Sequence, residues 1–312
     1  MNLPATSLPA EIVSSVAAWS EAARSALSPA TLKAYRVDGA TFVAWCQSRS
    51  MESMPASPGA VAGFLKAEAE SGKSVATIRR RLATISAMHR AANIPSPADS
   101  QLVKLVMKGI AKAKGTDQRQ AAPLSADDAV TIAAKLGDSP RELRDLALIL
   151  VGRDLLARSA ELVSIEVGHI EWGSPTIIML RRRKTSTEAK PCAIGPKATA
   201  ALRHWLEAGE VAEGPVFQSL KRNGRATGRA LDPRDVRRIF KYTAQAAGLN
   251  HADNVSGHSV RVGMAQDLVS RNIDVLAVAQ AGGWSTTTMP ARYSAKLAAA
   301  RGAVAQFYGM TS

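Results

Sequence analysis

Residues 157–185 read ARSAELVSIEVGHIEWGSPTIIMLRRRKT, and this stretch decides the architecture. After a short turn, ARSAELVSI is followed by VGHIEW and PTIIMLRRRKT, two runs rich in β-branched and apolar residues that predict two strands of a small antiparallel sheet. A third short strand at about 190–194 closes that sheet. On both sides the pattern is helical. Upstream, helices are predicted at 125–136 and 140–154. Downstream they fall at 196–207 and at 232–247, where Asp232-Pro233 starts a helix and Gly248 ends one. From residue 259 onward three short helices are separated by Asn272-Ile273-Asp274 and by Gly282-Gly283. The fold class is therefore mainly α with a small antiparallel β-sheet.

Residues 1–114 read as a helical bundle. Ser28-Pro29, Ser57-Pro58 and Ser96-Pro97 each place a capping serine before a proline that suits a first helical position. Leu32, Tyr35, Phe42 and Trp45 fall near one helical face, with Lys33 and Arg36 elsewhere. Val75, Ile78, Leu82 and Ile85 step by three and four, leaving Arg79, Arg80, Arg81 and Arg90 on the remaining faces. From about residue 100, Leu102, Val106 and Ile110 form one side of a helix and Lys104, Lys108 and Lys112 a stripe on another. One such stripe is ordinarily a solvated face. Several in one bundle, with little acidic residue nearby, favour phosphate contact, so Lys33, Arg36, Arg79, Arg80, Arg81, Lys104, Lys108 and Lys112 are the candidate DNA-binding residues. The small, polar segment 115–122 is the expected linker to a second domain, 123–312.

The chain has 312 residues, which suits two domains. It has 40 Lys plus Arg against 26 Asp plus Glu, a net +14, the electrostatic footprint of a polyanion binder. The first 122 residues hold 15 basic and 8 acidic residues and the rest 25 and 18, so each part is +7 and both are expected to face the same polyanion. With 5 Trp, 4 Tyr and 5 Phe the chain has few aromatic rings for stacking single strands, which favours duplex DNA. Cys46 and Cys192 lie in different halves and the 5 histidines are scattered, so no disulfide framework or metal site is expected. No GxxxxGK[ST] phosphate loop occurs. The N-terminus lacks the pattern of a secretory signal and no apolar run is long enough for a membrane span, so a soluble, cytoplasmic protein is expected, nucleoid-associated in a bacterium.

Four separated pieces carry candidate chemistry: Arg158 and Glu161 in ARSAEL, Lys184 after the RRR run, His258 and Arg261 in SGHSVR, and Trp284 and Tyr293 in GGWSTTTMPARYS. Two arginines can clamp the non-bridging oxygens of one phosphate and stabilise a pentacoordinate transition state. His258 and Arg261 are three apart, a helical-face spacing. A lysine at a strand end can protonate a leaving oxygen, and a tyrosine can be a covalent nucleophile. Each piece alone is weak, and Tyr35, Tyr242 and Tyr308 compete with Tyr293 on chemistry alone. Order and spacing together raise the specificity.

That ordered set resembles the tyrosine recombinase, or phage integrase, family, and the resemblance runs the length of the chain. SGHSVRVGMAQDL (256–268) followed by QAGGW (280–284), with Tyr293 nine residues after Trp284, is similar to the family's catalytic domain. IRRRLATISAMHRAANIPSPADS (78–100) and LVMKGIAK (105–112) are similar to its SAM-like core-binding domain. The resemblance implies that Arg158 and Arg261 hold the scissile phosphate and that Glu161 buttresses them. It implies that Lys184 is the general acid for the 5′-hydroxyl, that His258 assists proton transfer, and that Trp284 stands where a histidine is commoner. Tyr293 would form a 3′-phosphotyrosyl link, which conserves the ester energy so that neither ATP nor a metal is required.

The same resemblance implies a specific inverted-repeat site in double-stranded DNA, a homotetramer synapsing two sites through a Holliday junction, and accessory proteins that can set direction. Two neighbouring readings use the same residues: a single-site relaxing enzyme like a type IB topoisomerase, and a DNA-binding regulator without catalysis. Two departures stand out. Pro290, three residues before Tyr293, is expected to interrupt a helix. The run Arg181-Arg182-Arg183-Lys184 leaves the lysine's register open by one residue. After Tyr293, Leu297, Val304 and Phe307 fall near one face of an expected amphipathic helix, which buries on its own domain or, by the resemblance, on a neighbouring subunit.

Overall fold

The computed structural model describes residues 10–116, 120–182, 188–301 and 307–308, the side chains of 296–301 excepted. The chain divides into two compact units, 1–118 and 119–312, at a point inside the 115–122 segment. Among the described residues no helix is long and apolar enough to cross a membrane.

The first unit is a bundle of α1 (Ala10–Ala26), α2 (Pro29–Gln47), α3 (Pro58–Glu70), α4 (Val75–Ala91) and α5 (Gln101–Lys114). Ser28, Ser57, Ser74 and Ser100 cap α2 to α5, each hydroxyl accepting an N–H of the first turn. Ser96-Pro97 departs from the expected form: it opens only a 3-10 turn, Pro97–Asp99, and Ser100 then starts α5. Phe42 and Phe64 meet edge to face at 5.1 Å in the core, with Ile78, Ile85 and Val103 fully buried around them. Burial of each such side chain contributes about 1.5–3 kcal/mol. On α5 the buried face is Val103 and Ile110, with Val106 and Met107 partly covered, while Leu102 is 49% exposed. The lysine stripe is the reason. Lys104, Lys108 and Lys112 stay exposed, and the side opposite them centres on Val103 and Ile110, leaving Leu102 at the margin.

The basic stripe on α4 also needs correction. Asp38, wholly buried on α2, lies 2.9 Å from Arg80 and 3.7 Å from Arg81, and Arg81 also pairs with Glu68 of α3. The Arg81 side chain is only 13% exposed. It ties three helices together and is not available as the surface phosphate contact that its helical position predicts. Arg80 is half-exposed and paired, whereas Lys33, Arg36 and Arg79 are exposed.

The second unit carries α6 (Ala126–Lys135), α7 (Pro140–Asp154), α8 (Ser159–Val163), β1 (Ile170–Glu171), β2 (Thr176–Leu180), β3 (Lys190–Ile194) and α9 (Pro196–Ala208). It continues through β4 (Gln218–Leu220), β5 (Ala226–Ala230), α10 (Pro233–Ala246), α11 (Ser259–Ser270), α12 (Val275–Gly282) and α13 (Thr288–Arg301). The sheet order is β1-β2-β3, all antiparallel, with Ile178 opposite Cys192 and Leu180 opposite Lys190. VGHIEW contributes only Ile170 and Glu171 to it. The preceding Val167–His169 is a 3-10 turn, in which His169 Nδ1 accepts the Glu166 N–H. A second sheet, the β4–β5 hairpin, was not expected from the sequence. Leu148, Ile149, Leu202, Trp205, Phe217 and Phe240 are buried in the core, and the Trp205 indole donates to the Val216 carbonyl at 2.8 Å.

Pro290 does not interrupt a helix. The first intrahelical bond of α13 runs from Ala291 N–H to Thr287 carbonyl, so Pro290 sits in the first turn, where an N–H has no acceptor to lose.

Candidate active site

The site is built around a sharp turn at the end of α7. Leu156 adopts a left-handed backbone at φ 45, uncommon for a bulky residue, and such strain collects where geometry is over-determined. The turn offers the Leu155 carbonyl to Arg182 and the Leu156 carbonyl to Arg261, and leads into Arg158, the N-cap residue of α8.

Arg158 and Glu161 are locked to each other twice. The Arg158 N–H donates to Glu161 Oε2 at 2.7 Å and its Nη1 to Oε1 at 2.6 Å. Glu161 is buried while Arg158 is 41% exposed, so the carboxylate orients a guanidinium that still faces outward. Glu161 also lies 3.8 Å from Arg261, which is itself 2% exposed. Arg261 donates to the Leu156 carbonyl through Nη1 and to the Gly282 carbonyl at 3.1 Å through Nη2. Burial, and then the Arg158 charge, push the Arg261 pKa down to about 10, against the pull of Glu161, so it stays cationic at neutral pH.

The Arg261 guanidinium stacks 4.2 Å from the centroid of the Trp284 ring. Trp284 in turn meets Tyr293 edge to face, centroids 5.9 Å apart at 71°. Two glycines allow this arrangement for different reasons. A Cβ at Gly282 would run into the Trp284 ring, whereas Gly283 caps α12 in the left-handed region at φ 66. Tyr293 lies on α13, and its backbone carbonyl accepts from Gln266 Nε2 of α11 at 2.8 Å. Its ring packs against the small cluster of Leu156, Ala265 and Val278.

His258 occupies the N-terminal edge of α11, accessible to solvent, its backbone N–H donating to Ser256 Oγ at 3.2 Å. Its pKa is lowered, first by partial desolvation of the ring and then by the charges of Arg261 and Arg158. The imidazole is therefore held neutral near pH 7. An open cleft of about 710 Å³ is lined by Arg158, Glu161, Arg181, Arg182, Gly283 and Trp284.

The structure thus brings together Arg158, Glu161, His258, Arg261, Trp284 and Tyr293, while Lys184 lies outside the described residues. Two groups went unnoticed in the sequence. Arg182 lines the cleft and donates to the Leu155 carbonyl at 2.8 Å. On α10, Arg234, Arg237, Arg238 and Lys241 line one further basic cleft, and their spacing of three, one and three was a readable signal of a basic face.

Residues 123–299 match the phage integrase family, and residues 22–93 match the phage integrase N-terminal SAM-like domain. The chain is 29% identical over 285 residues to the recombinase Cre of Escherichia phage P1, covering 85% of this chain and 83% of that one. To an integrase/recombinase XerD homolog of Selenomonas ruminantium it is 28% identical over 281 residues, covering 84% and 80%. Among solved structures, the Tn1549 transposon integrase in complex with transposon right end DNA matches with a TM-score of 0.64 at 14% identity, over 92% of this chain and 98% of that one. A lambda integrase dimer bound to a COC′ core site matches with a TM-score of 0.61 at 18% identity, over 90% and 94%. At these identities the two structures speak to the fold.

Proposed function

The chain belongs to the phage integrase family, as a tyrosine-type site-specific recombinase, and from that premise we propose that it cuts and rejoins duplex DNA through Tyr293. The observation that carries this reading is the continuous contact from Glu161 through Arg261 and Trp284 to Tyr293. It links the guanidinium proposed to clamp the phosphate to the ring of the proposed nucleophile.

In the proposed reaction Arg158 and Arg261 bind the non-bridging oxygens of the scissile phosphate and stabilise the charge that grows on them. Glu161 holds both guanidiniums in register, and the Trp284 indole N–H adds a donor. Neutral His258 takes the phenolic proton as Tyr293 oxygen attacks phosphorus. The P–O5′ bond breaks, and Lys184 gives the departing 5′-oxygen its proton. One phosphodiester is replaced by another, so the reverse step needs no ATP. The positive charge that a metal would bring is supplied by the guanidiniums.

The wider assignment follows the same premise. Four copies act on two inverted-repeat sites through a Holliday junction, with accessory proteins setting direction, in the cytoplasm and close to the nucleoid. The residues after Tyr293 join neighbouring copies, and Phe307 and Tyr308, 81% and 69% exposed, offer an apolar end for that contact. The exposed residues Lys33, Arg36, Arg79, Lys104, Lys108 and Lys112, with the α10 face, bind phosphates.

The test is Tyr293→Phe with a nicked half-site duplex. The variant should bind as the parent does and give no SDS-stable protein–DNA adduct. An adduct from Tyr293→Phe would overturn the assignment of the nucleophile. Cleavage by the parent should also persist in EDTA; loss of cleavage that Mg²⁺ restores would overturn the metal-free reaction.

A further inference from the structure

Arg182 follows β2 by two residues and is half-buried. Its Nη2 donates to the Leu155 carbonyl at 2.8 Å and approaches Cys192 Sγ on β3 at 3.4 Å. Its aliphatic stem lies over Gly283, so that a Cβ built there would stand 2.6 Å from Arg182 Cδ. Arg261 grips the same two turns through the Leu156 and Gly282 carbonyls. The pattern is a double clasp. Adjacent carbonyls at the end of α7 go one to each arginine, and adjacent glycines at the end of α12 meet one arginine each.

From this geometry we infer that Arg182 is a positioning residue that fixes Arg261 and Trp284 for catalysis. Leu155 is 1% exposed, so its carbonyl has no ready substitute in water for the Arg182 donor. Without that donor the left-handed turn at Leu156, which supplies an acceptor to Arg261, keeps its backbone bonds, such as Leu156 N–H to the Arg153 carbonyl at 2.8 Å, but loses the side-chain tie to the end of β2. Without the stem over Gly283, the turn that presents Trp284 to Arg261 loses its outer support. The inference rests on the reading of Arg261 as a clamp for the scissile phosphate, and the experiment separates the two.

The variant Arg182→Met keeps the stem and removes the donors, and Arg182→Lys returns a single donor. Half-site binding, thermal unfolding and single-turnover formation of the covalent adduct are measured on an ordinary substrate. The adduct is measured again on a substrate whose scissile phosphate is a methylphosphonate, which leaves no non-bridging charge for Arg261 to stabilise. Arg182→Met should bind and unfold as the parent does and cleave the ordinary substrate about 100-fold more slowly, the scale of an ångström-sized misplacement. Arg182→Lys should recover part of that rate. On the methylphosphonate the Arg182→Met deficit should shrink severalfold, in parallel with the deficit of Arg261→Gln.

Three results overturn the proposal: parental cleavage by Arg182→Met, an equal deficit on both substrates while Arg261→Gln is relieved, or a loss of binding and unfolding temperature that accounts for the rate. Failure of Arg261→Gln itself to be relieved by the methylphosphonate would instead bring down the clamp reading, and the role assigned to Arg182 with it.

Discussion

Each unit of the protein holds a partly buried cluster of arginines and carboxylates, and the two clusters are balanced differently. In the first unit Arg80 and Arg81 face Asp38 and Glu68, cation for anion, and the group closes on itself. In the second, Arg158 and Arg261 share the single carboxylate of Glu161, with the charge of Arg182 also acting on Arg261. The balanced cluster fastens helices. The unbalanced one keeps a surplus of positive charge that a phosphate can neutralise. A buried arginine is therefore informative less by its burial than by the count of carboxylates around it.

Breaking the unbalanced cluster should have the largest effect on chemistry. Arg261→Gln should lower single-turnover adduct formation about 100- to 1,000-fold, the range found for loss of one donor to a developing oxyanion. A variant that cleaves at the parental rate would dissolve the contrast. Breaking the balanced cluster should act on stability instead. Arg81→Met leaves Asp38 and Glu68 buried without their shared cation and should cost about 3 kcal/mol in urea unfolding. At temperatures where the variant stays folded, its rate on a half-site should be unchanged.

Proton binding offers a finer probe of the surplus charge. Because the His258 pKa is lowered by desolvation and by Arg261 and Arg158, the neutral ring should persist below the ordinary imidazole value of 6.5, and cleavage should fall only when pH drops through the depressed pKa. Protonation of His258 then opposes folding, so its contribution to stability is complete above that ordinary value and declines as pH falls toward the folded-state pKa. In an NMR titration of labelled histidine, Arg158→Gln should move the His258 midpoint upward. An unmoved midpoint would mean that the cluster does not act on the ring. The smallest effect belongs to the exposed stripe. Lys108→Gln should weaken half-site binding modestly and reduce the slope of log affinity against log salt by about one unit.

Much of this arrangement was legible in the sequence because it is written in local signals. Serine caps mark α2 and α3, and the spacing of His258, Arg261, Trp284 and Tyr293 is fixed by short helices and turns. What was missed depends on partners distant in sequence. Arg81 and Arg79 look alike until Asp38 and Glu68 fold against one of them. Leu102 and Val103 are both apolar, and the choice between them follows from the side opposite the lysine stripe, which packs on α3. The β4–β5 hairpin escaped notice because β5 is largely exposed, so its residues carry no alternation of apolar and polar. Pro290 was misjudged for a different reason, since its effect depends on where α13 begins. Arg182 hid in a run of arginines whose members differ only in what lies across the turn.

The pair Gly282-Gly283 has a consequence for how this protein can change by mutation. Position 282 is closed to a side chain by the Trp284 ring, and position 283 is strained for one by its own backbone dihedral and crowded by the Arg182 stem. The two constraints are released by different events. A smaller residue at 284 would open position 282 to alanine and leave 283 closed, whereas shortening Arg182 clears space at 283 without removing its left-handed strain. In a library randomised at 282, 283 and 284, variants with a small residue at 284 should accept alanine at 282, and glycine at 283 should persist throughout. The second glycine is thus the less replaceable of two residues that look identical in the sequence.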